Sequence, residues 1–280
     1  MQLPELKQLQ QIVIRAAREE LLPRFTRVDR NDKADGSFIT EADLAAQQRI
    51  ETELKQHWPD IALLGEEMTE AEQNSLIKDQ SRPLWILDPL DGTSNFAAGL
   101  PFFSTSLALL HQGEIVLGVV YDPSRDECFS ARKGDGAWFN GQPLGQHRPQ
   151  GPLKKGTALV DFKRLPAELA NRLVNETPYS SQRSHGSVAL DWCWMAAGRC
   201  HVYLHGKQKL WDYAAGYLVF SEMAGHACTL AGEPVFQPNL EPRTAVASLD
   251  QSLFQEWTEW LGIRPGICDN DVPIKQTKTQ

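Results

Sequence analysis

"LWILDPLDGTSN", residues 84–95, runs an apolar stretch straight into Asp88 and Asp91, with Pro89 between them and Gly92-Thr93 immediately behind. The apolar part, taken as "PLWIL" (83–87), reads as a strand that ends where the acids begin. Two carboxylates at i and i+3 of a strand end can converge on one point, and Pro89 fixes the turn between them. Unpaired carboxylates repel, so such a pair is stable when it shares protons or a cation. Oxygen-only ligands favour a hard cation, and Mg²⁺ is the usual one when phosphate is also a ligand. Gly92-Thr93, ahead of a helical turn at 94–98, offers backbone N–H groups to an anion. The same composition makes a plain β-turn, so its meaning depends on what surrounds it.

Working outward, "IALLGEE" (61–67) is another short apolar strand that runs into acids, Glu66 and Glu67. Upstream, "TEADLAAQQRIETELKQHW" (40–58) predicts a helix with Thr40 as N-cap and Asp43 in a capping-box position, stopped by Pro59. The first helix is expected over 4–22, with Leu6, Leu9, Ile12, Val13, Ala16 and Ala17 on one face. Downstream, four β-prone runs (102–110, 114–121, 127–132 and 137–139) are separated by "HQG", "DPSRD", "KGDG" and "NG", which predicts an antiparallel meander. The second half alternates: strand 157–161, helix 166–176, helix 187–198, strand 200–204, helix 211–225, strands near 227–230 and 244–248, and helix 250–262. Asp212 sits at the start of the helix at 211, where an N-cap role would also explain it. Four acidic features thus lie at element boundaries, where layered folds gather their sites.

Composition bounds the function. The 280 residues are 41% hydrophobic and 23% charged, with a formal net charge of −8. That balance is ordinary for a globular protein and argues against a general nucleic-acid or anionic-membrane binder. The five cysteines form no CxxC pair and their number is odd, which fits reduced thiols in a cytoplasmic protein. No signal peptide or apolar run long enough to span a bilayer is expected. The chain reads as one domain over 1–270, divisible into lobes at about 1–150 and 151–270, with a loose tail at 271–280.

Together these residues resemble the inositol monophosphatase family of Mg²⁺-dependent, lithium-sensitive phosphatases. "WILDPLDGTSNFAAGLPFFSTSLAL" (85–109) is similar to the family's first signature and "LWDYAAGYLVFSEMAG" (210–225) to its second, while "LLGEE" (63–67) and "ITEAD" (39–43) match its remaining site motifs. The order is the family's, and so is the step from Gly186 to Asp212. The resemblance implies an α+β fold, the layered α/β/α/β/α sandwich of the inositol monophosphatase and fructose-1,6-bisphosphatase type, usually a homodimer. It implies that Glu66, Asp88 and the Leu90 carbonyl hold a first Mg²⁺, that Asp88, Asp91 and Asp212 hold a second, and that Glu66 and Glu67 assist a third. Asp43 and Thr93 would orient and deprotonate a metal-activated water, with Glu67 also counted among the catalytic groups. The Gly92 and Thr93 amides would meet the phosphate of a small-molecule monoester.

Two other chemistries compete with this one. An aspartyl-phosphate phosphatase needs acids at i and i+2, not i and i+3, and a non-catalytic Ca²⁺- or phosphate-binding module lacks EF-hand spacing here. Substrate contacts are expected from Gly186, Ser187, His205 and Lys207. Inositol-specific relatives place a glutamate where this chain has His205, and alanine where it has Val188. Lys207, Lys209, Arg183 and His185 add positive charge, which keeps open a bisphosphate (fructose 1,6-bisphosphate or 3′-phosphoadenosine 5′-phosphate) or histidinol phosphate.

Overall fold

The computed structural model describes residues 3–25, 31–32, 38–79, 81–145 and 147–264. The tail expected over 271–280 and Cys268 lie outside the described residues. The chain opens with α1 (Leu6–Ala16), a π-helical turn at Ala17–Leu21, and the two-stranded ribbon β1 (Asn31–Asp32) and β2 (Phe38–Ile39). Then follow α2 (Glu41–His57), β3 (Ala62–Gly65), α3 (Glu70–Lys78), β4 (Leu84–Asp91) and α4 (Thr93–Ala98). The meander is β5 (Ser104–His111), β6 (Glu114–Asp122), β7 (Glu127–Arg132), β8 (Gly136–Phe139) and β9 (Gln142–Pro143). The second half comprises β10 (Thr157–Asp161), α5 (Ala167–Asn175), β11 (Ser181–Arg183), α6 (Val188–Ala196) and β12 (Val202–Gln208). It closes with α7 (Leu210–Glu222), β13 (His226–Cys228), β14 (Arg243–Ser248) and α8 (Gln251–Leu261).

Two sheets result. The larger has the order β3-β4-β5-β6-β7-β8-β9, parallel at β3–β4 and antiparallel beyond; the smaller has the order β11-β10-β12-β14-β13. Alternation along the strands assigns their faces. Trp85 and Leu87 of β4, Leu107 and Leu109 of β5, and Leu117 and Val119 of β6 pack on α1 and α2 through Leu9, Ile12, Val13, Ala46 and Ile50. The intervening Ile86, Ala108 and Val120 turn the other way, onto α6 and α7. Those two helices are apolar almost all round because the smaller sheet, through Leu159, Tyr203, Ala245 and Ala247, covers their far side. Ala158, Val160, Val202, Leu204 and Val246 face outward onto Leu173 of α5 and Leu253, Phe254 and Trp257 of α8. The order of layers is therefore helix, sheet, helix, sheet, helix, as expected. Among the described residues no helix is long and apolar enough to cross a membrane.

Trp192 sits fully buried in the central layer, edge-on to Tyr203, Tyr217 and Phe220 at ring separations of 5.1–5.2 Å. Its indole N–H donates to Gln208 Oε1 at 2.9 Å, so it is a packing residue. The four described cysteines, Cys128, Cys193, Cys200 and Cys228, are all buried. One departure from expectation bears on the site: β4 does not stop at Leu87 but continues to Asp91, with a break in register against β5 between Asp88 and Asp91. The irregularity accommodates Pro89, which lacks an N–H for the ladder, and the Pro89 carbonyl accepts from Thr105 Oγ1 at 2.9 Å.

Candidate active site

The disturbed end of β4 shares one cavity with Asp161 at the end of β10 and His205 of β12. Asp88, Leu90, Asp91, Gly92, Thr93 and Ser94 line one side of a cavity there, with Glu66 beside them. Asp212, Gly186 and Val188 close another side; Asp161, Arg164 and His205 complete it. Gly92 adopts a left-handed φ of 96°, which turns the chain from β4 into α4, and a Cβ there would lie 3.1 Å from the Phe102 carbonyl oxygen.

Each aspartate is anchored locally. Asp88 Oδ1 accepts from Leu90 N at 3.0 Å. Asp91 accepts from Ser187 Oγ at 2.5 Å, from Ala189 N at 2.8 Å and from Val188 N at 3.2 Å, so it caps α6 from outside that helix. Asp212 Oδ2 accepts from Lys209 N at 2.8 Å, a capping-box contact at the start of α7. Asp43 makes the equivalent box on α2: Oδ2 accepts from Thr40 N at 2.8 Å and from Thr40 Oγ1 at 2.6 Å. Its Oδ1 lies 3.3 Å from Thr93 Oγ1, which is also 3.0 Å from the Leu90 carbonyl oxygen. The helix-capping and site-building explanations of Asp43 and Asp212 therefore hold together; one carboxylate does both.

Electrostatically the cluster is strained. Burial, then the charges of Glu66, Asp91, Asp212 and Asp43, push the Asp88 carboxyl well above its ordinary value. Burial and then Asp212 push Asp91 up to about 8, against the lowering effect of Ser187, Ala189 and Val188. Burial and then Glu66 push Asp212 up to about 6. Among the described residues no three His, Cys, Asp or Glu side chains close into a preformed metal cage. The donors are nonetheless all oxygen, buried and mutually repelling, and a hard divalent cation is the partner that relieves both burial and repulsion. The residues fit such an ion.

Not every expected site residue reaches the cavity. Glu67 is half-buried and outside the lining, and Asp43, fully buried, communicates with it through Thr93. Ser187 is buried beneath Asp91 and holds it. Lys207 is exposed and does not line the cavity. Arg183 donates to Ser181 Oγ, and His185 packs between Phe102 and Trp194 at ring separations of 4.6 and 5.0 Å. His205 does line the cavity, but both of its ring nitrogens are engaged: Nδ1 accepts from Lys207 N at 3.2 Å and Nε2 lies 3.0 Å from Asp161 Oδ2. The first contact fixes the tautomer, so Nε2 carries the proton and donates it to Asp161.

Asp161 and Arg164 were not anticipated. The available signal for Asp161 was the one that marked Asp88, an acid ending an apolar strand ("TALVD"). Arg164, in a short 3₁₀ turn, carries no comparable local signal. Asn95 was also missed: its side-chain amide donates to the Phe102 and His185 carbonyls at 2.7 and 2.6 Å, tying α4 to the segment that carries Gly186.

A protein-family model, that of the inositol monophosphatase family, matches residues 3–259. The chain is 38% identical over 200 residues to inositol monophosphatase 1 of Solanum lycopersicum, a match that covers 69% of this chain and 72% of that protein. It is 34% identical over 233 residues to the Nus factor SuhB of Pasteurella multocida, covering 79% of this chain and 85% of that one. Among solved structures, an IMPase of Thermotoga maritima superposes with a TM-score of 0.75 at 28% identity, covering 92% of this chain and 99% of the other.

Proposed function

The chain belongs to the inositol monophosphatase family, and from that premise we propose that it hydrolyses a small-molecule phosphate monoester with Mg²⁺ as cofactor. The observation that carries this reading is the convergence of Glu66, Asp88, Asp91 and Asp212 with the Gly92–Ser94 turn in one cavity. Glu66, Asp88, Asp91, Asp212 and the Leu90 carbonyl would hold the metal, two or three ions in all. When bound, Mg²⁺ supplies charge neutralisation for the phosphoryl oxygens and makes the attacking water more acidic.

The chain's own groups do the rest. The Gly92 and Thr93 amides receive the phosphate at the start of α4. The Thr93 hydroxyl has one proton and two acceptors in reach, Leu90 O and Asp43 Oδ1. Donating to Asp43 leaves the Thr93 oxygen free to accept from the attacking water, and Asp43, pinned through Oδ2, is the base behind it. Val188 and Ala189 N–H, with Ser187, fix the orientation of Asp91. The reading extends to inhibition by lithium, a homodimeric assembly and cytoplasmic residence; it includes neither nucleic acid nor membrane as a partner.

The test is phosphate release from a panel of monoesters with Mg²⁺ and with EDTA. Release with Mg²⁺ alone is expected, without a trapped phospho-aspartate, and Asp88→Asn should lower kcat by at least about 10³-fold. Equal release in EDTA, or a phosphorylated Asp88, would discard the proposal.

A further inference from the structure

The wall of the cavity built on β10 and β12 has a specific donor–acceptor balance. Asp161 of β10 and His205 of β12 are register partners on adjacent parallel strands. The acceptors of this wall are already in use. Asp161 Oδ1 accepts from Lys163 N at 3.1 Å, and Oδ2 accepts from His205 Nε2 at 3.0 Å. His205 Nδ1 is filled by the Lys207 amide. A glutamate here would offer unshared oxygens to ligand hydroxyls; on this wall each Asp161 oxygen already holds a protein donor.

What remains is a donor. Among the described residues that line the cavity Arg164 is the one cationic side chain, and its side chain is 42% exposed. Asp161 Oδ2 lies 3.5 Å from its Nε, its one ion pair among the described residues, and its charge also acts on Asp212. The two terminal Nη groups are left as a planar fork, the geometry that suits bidentate contact with phosphate or carboxylate.

The turn that carries Arg164 is fixed from across the fold. A Cβ on Gly206 would lie 1.9 Å from the Arg164 carbonyl oxygen, so this turn packs directly on the β12 backbone where its register against β14 breaks, between His205 and Gln208. Asp161 caps the same turn through Lys163 N. The position of the turn is built in.

Building on the phosphatase reading, we infer that Arg164 recognises a second anionic group on the leaving portion of the substrate. The favoured substrate class is then a phosphate monoester that also carries a phosphate or a carboxylate, and not a neutral polyol monophosphate. This places on Arg164 the role that the sequence suggested for Lys207.

Matched pairs test it: fructose 1,6-bisphosphate against fructose 1-phosphate, and 2-phosphoglycerate against glycerol 2-phosphate. The ratio of kcat/KM within a pair isolates the second anion, and the two pairs separate phosphate from carboxylate. In Arg164→Ala the ratio should fall on the order of ten- to a hundred-fold for at least one pair, mostly through KM. Fructose 6-phosphate, the product expected from fructose 1,6-bisphosphate, should inhibit fructose 1-phosphate hydrolysis with a Ki raised about tenfold in the same variant. Unchanged ratios in both pairs, with an unchanged Ki, overturn the inference and leave the phosphatase reading standing. No phosphate release from any of the four esters overturns both.

Discussion

Replacing Asp91 by asparagine separates a metal ligand from a helix cap, because the two roles predict opposite effects on the metal-free protein. Burial and then Asp212 carry the Asp91 carboxyl from 3.8 to about 8. The folded value lies above the unfolded one, so the native state holds the extra proton. Its stability without metal is greatest below about pH 4 and declines as pH rises toward 8. At pH 7 retaining this acid costs roughly 4 kcal/mol relative to the unfolded chain. Asparagine removes that cost but turns an amide donor toward Val188 N, which Asp91 accepts at 3.2 Å. Losing that contact costs about 1–2 kcal/mol. The net is a gain of about 2 kcal/mol at pH 7, or roughly 4–8 °C in Tm for a chain of this size. At pH 5 the two effects nearly cancel. Thermal unfolding in EDTA at pH 5 and pH 7, repeated with Mg²⁺, reads this directly. The variant should melt above wild type at pH 7 in EDTA, level with it at pH 5, and gain little from Mg²⁺, whereas wild type gains clearly. A variant that melts below wild type at both pH values would show Asp91 to be a cap for α6 whose charge awaits no cation.

Two further substitutions probe the geometry. Thr93→Val keeps the side-chain shape and removes the hydroxyl between Asp43 and Leu90, so kcat should fall about 10²–10⁴-fold with KM little changed, while Thr93→Ser keeps most of the rate; a valine variant with full kcat would remove Thr93 from the chemistry. Gly206→Ala forces a methyl to within 1.9 Å of a backbone oxygen, and backbone must move to admit it. The expected loss is about 1–3 kcal/mol, seen as a lower urea midpoint at unchanged m, together with a weaker preference for doubly anionic esters; an unaltered midpoint would mean that the Arg164 turn is not held by β12.

Most of the scaffold could be read locally because its signals are local. The "HQG", "DPSRD", "KGDG" and "NG" turns each fall between consecutive strands of the meander. The elements that escaped notice have weak apolar patterns: α3 buries only Gln73 and Ile77, and β11 reads Ser-Gln-Arg at a sheet edge, defined by its pairing with β10. The extension of β4 through Asp-Pro-Leu-Asp was hidden for the opposite reason, since polar turn residues there are buried by the layers above and below. The acids showed themselves by recurring at element boundaries. Arg164 could not, because the features that distinguish it from a surface arginine are Gly206 and His205, more than forty residues away in the chain. Lys207 misled for the complementary reason: its i, i+2 spacing from His205 suggested a shared face, but the register of β12 breaks between His205 and Gln208, so the alternation that would bring the two together is interrupted.

The helix starts explain how such a cavity survives in a folded protein. Asp43 and Asp212 occupy the third positions of α2 and α7, and Asp91 meets the first amides of α6. Each helix N-terminus favours a carboxylate by about 0.3–1 kcal/mol, and up to ~2 kcal/mol where partly buried. That contribution orients these three acids and lowers their charging cost, yet burial and mutual repulsion still push Asp91 up to about 8 and Asp212 up to about 6. The amides and dipoles are therefore too weak to neutralise the cluster and strong enough to hold it in place. An arrangement stabilised further would have no electrostatic need of a cation; one stabilised less would splay the β4 end apart. The balance between them leaves a fold that stands by itself and a cavity whose buried, mutually repelling carboxylates suit a divalent cation.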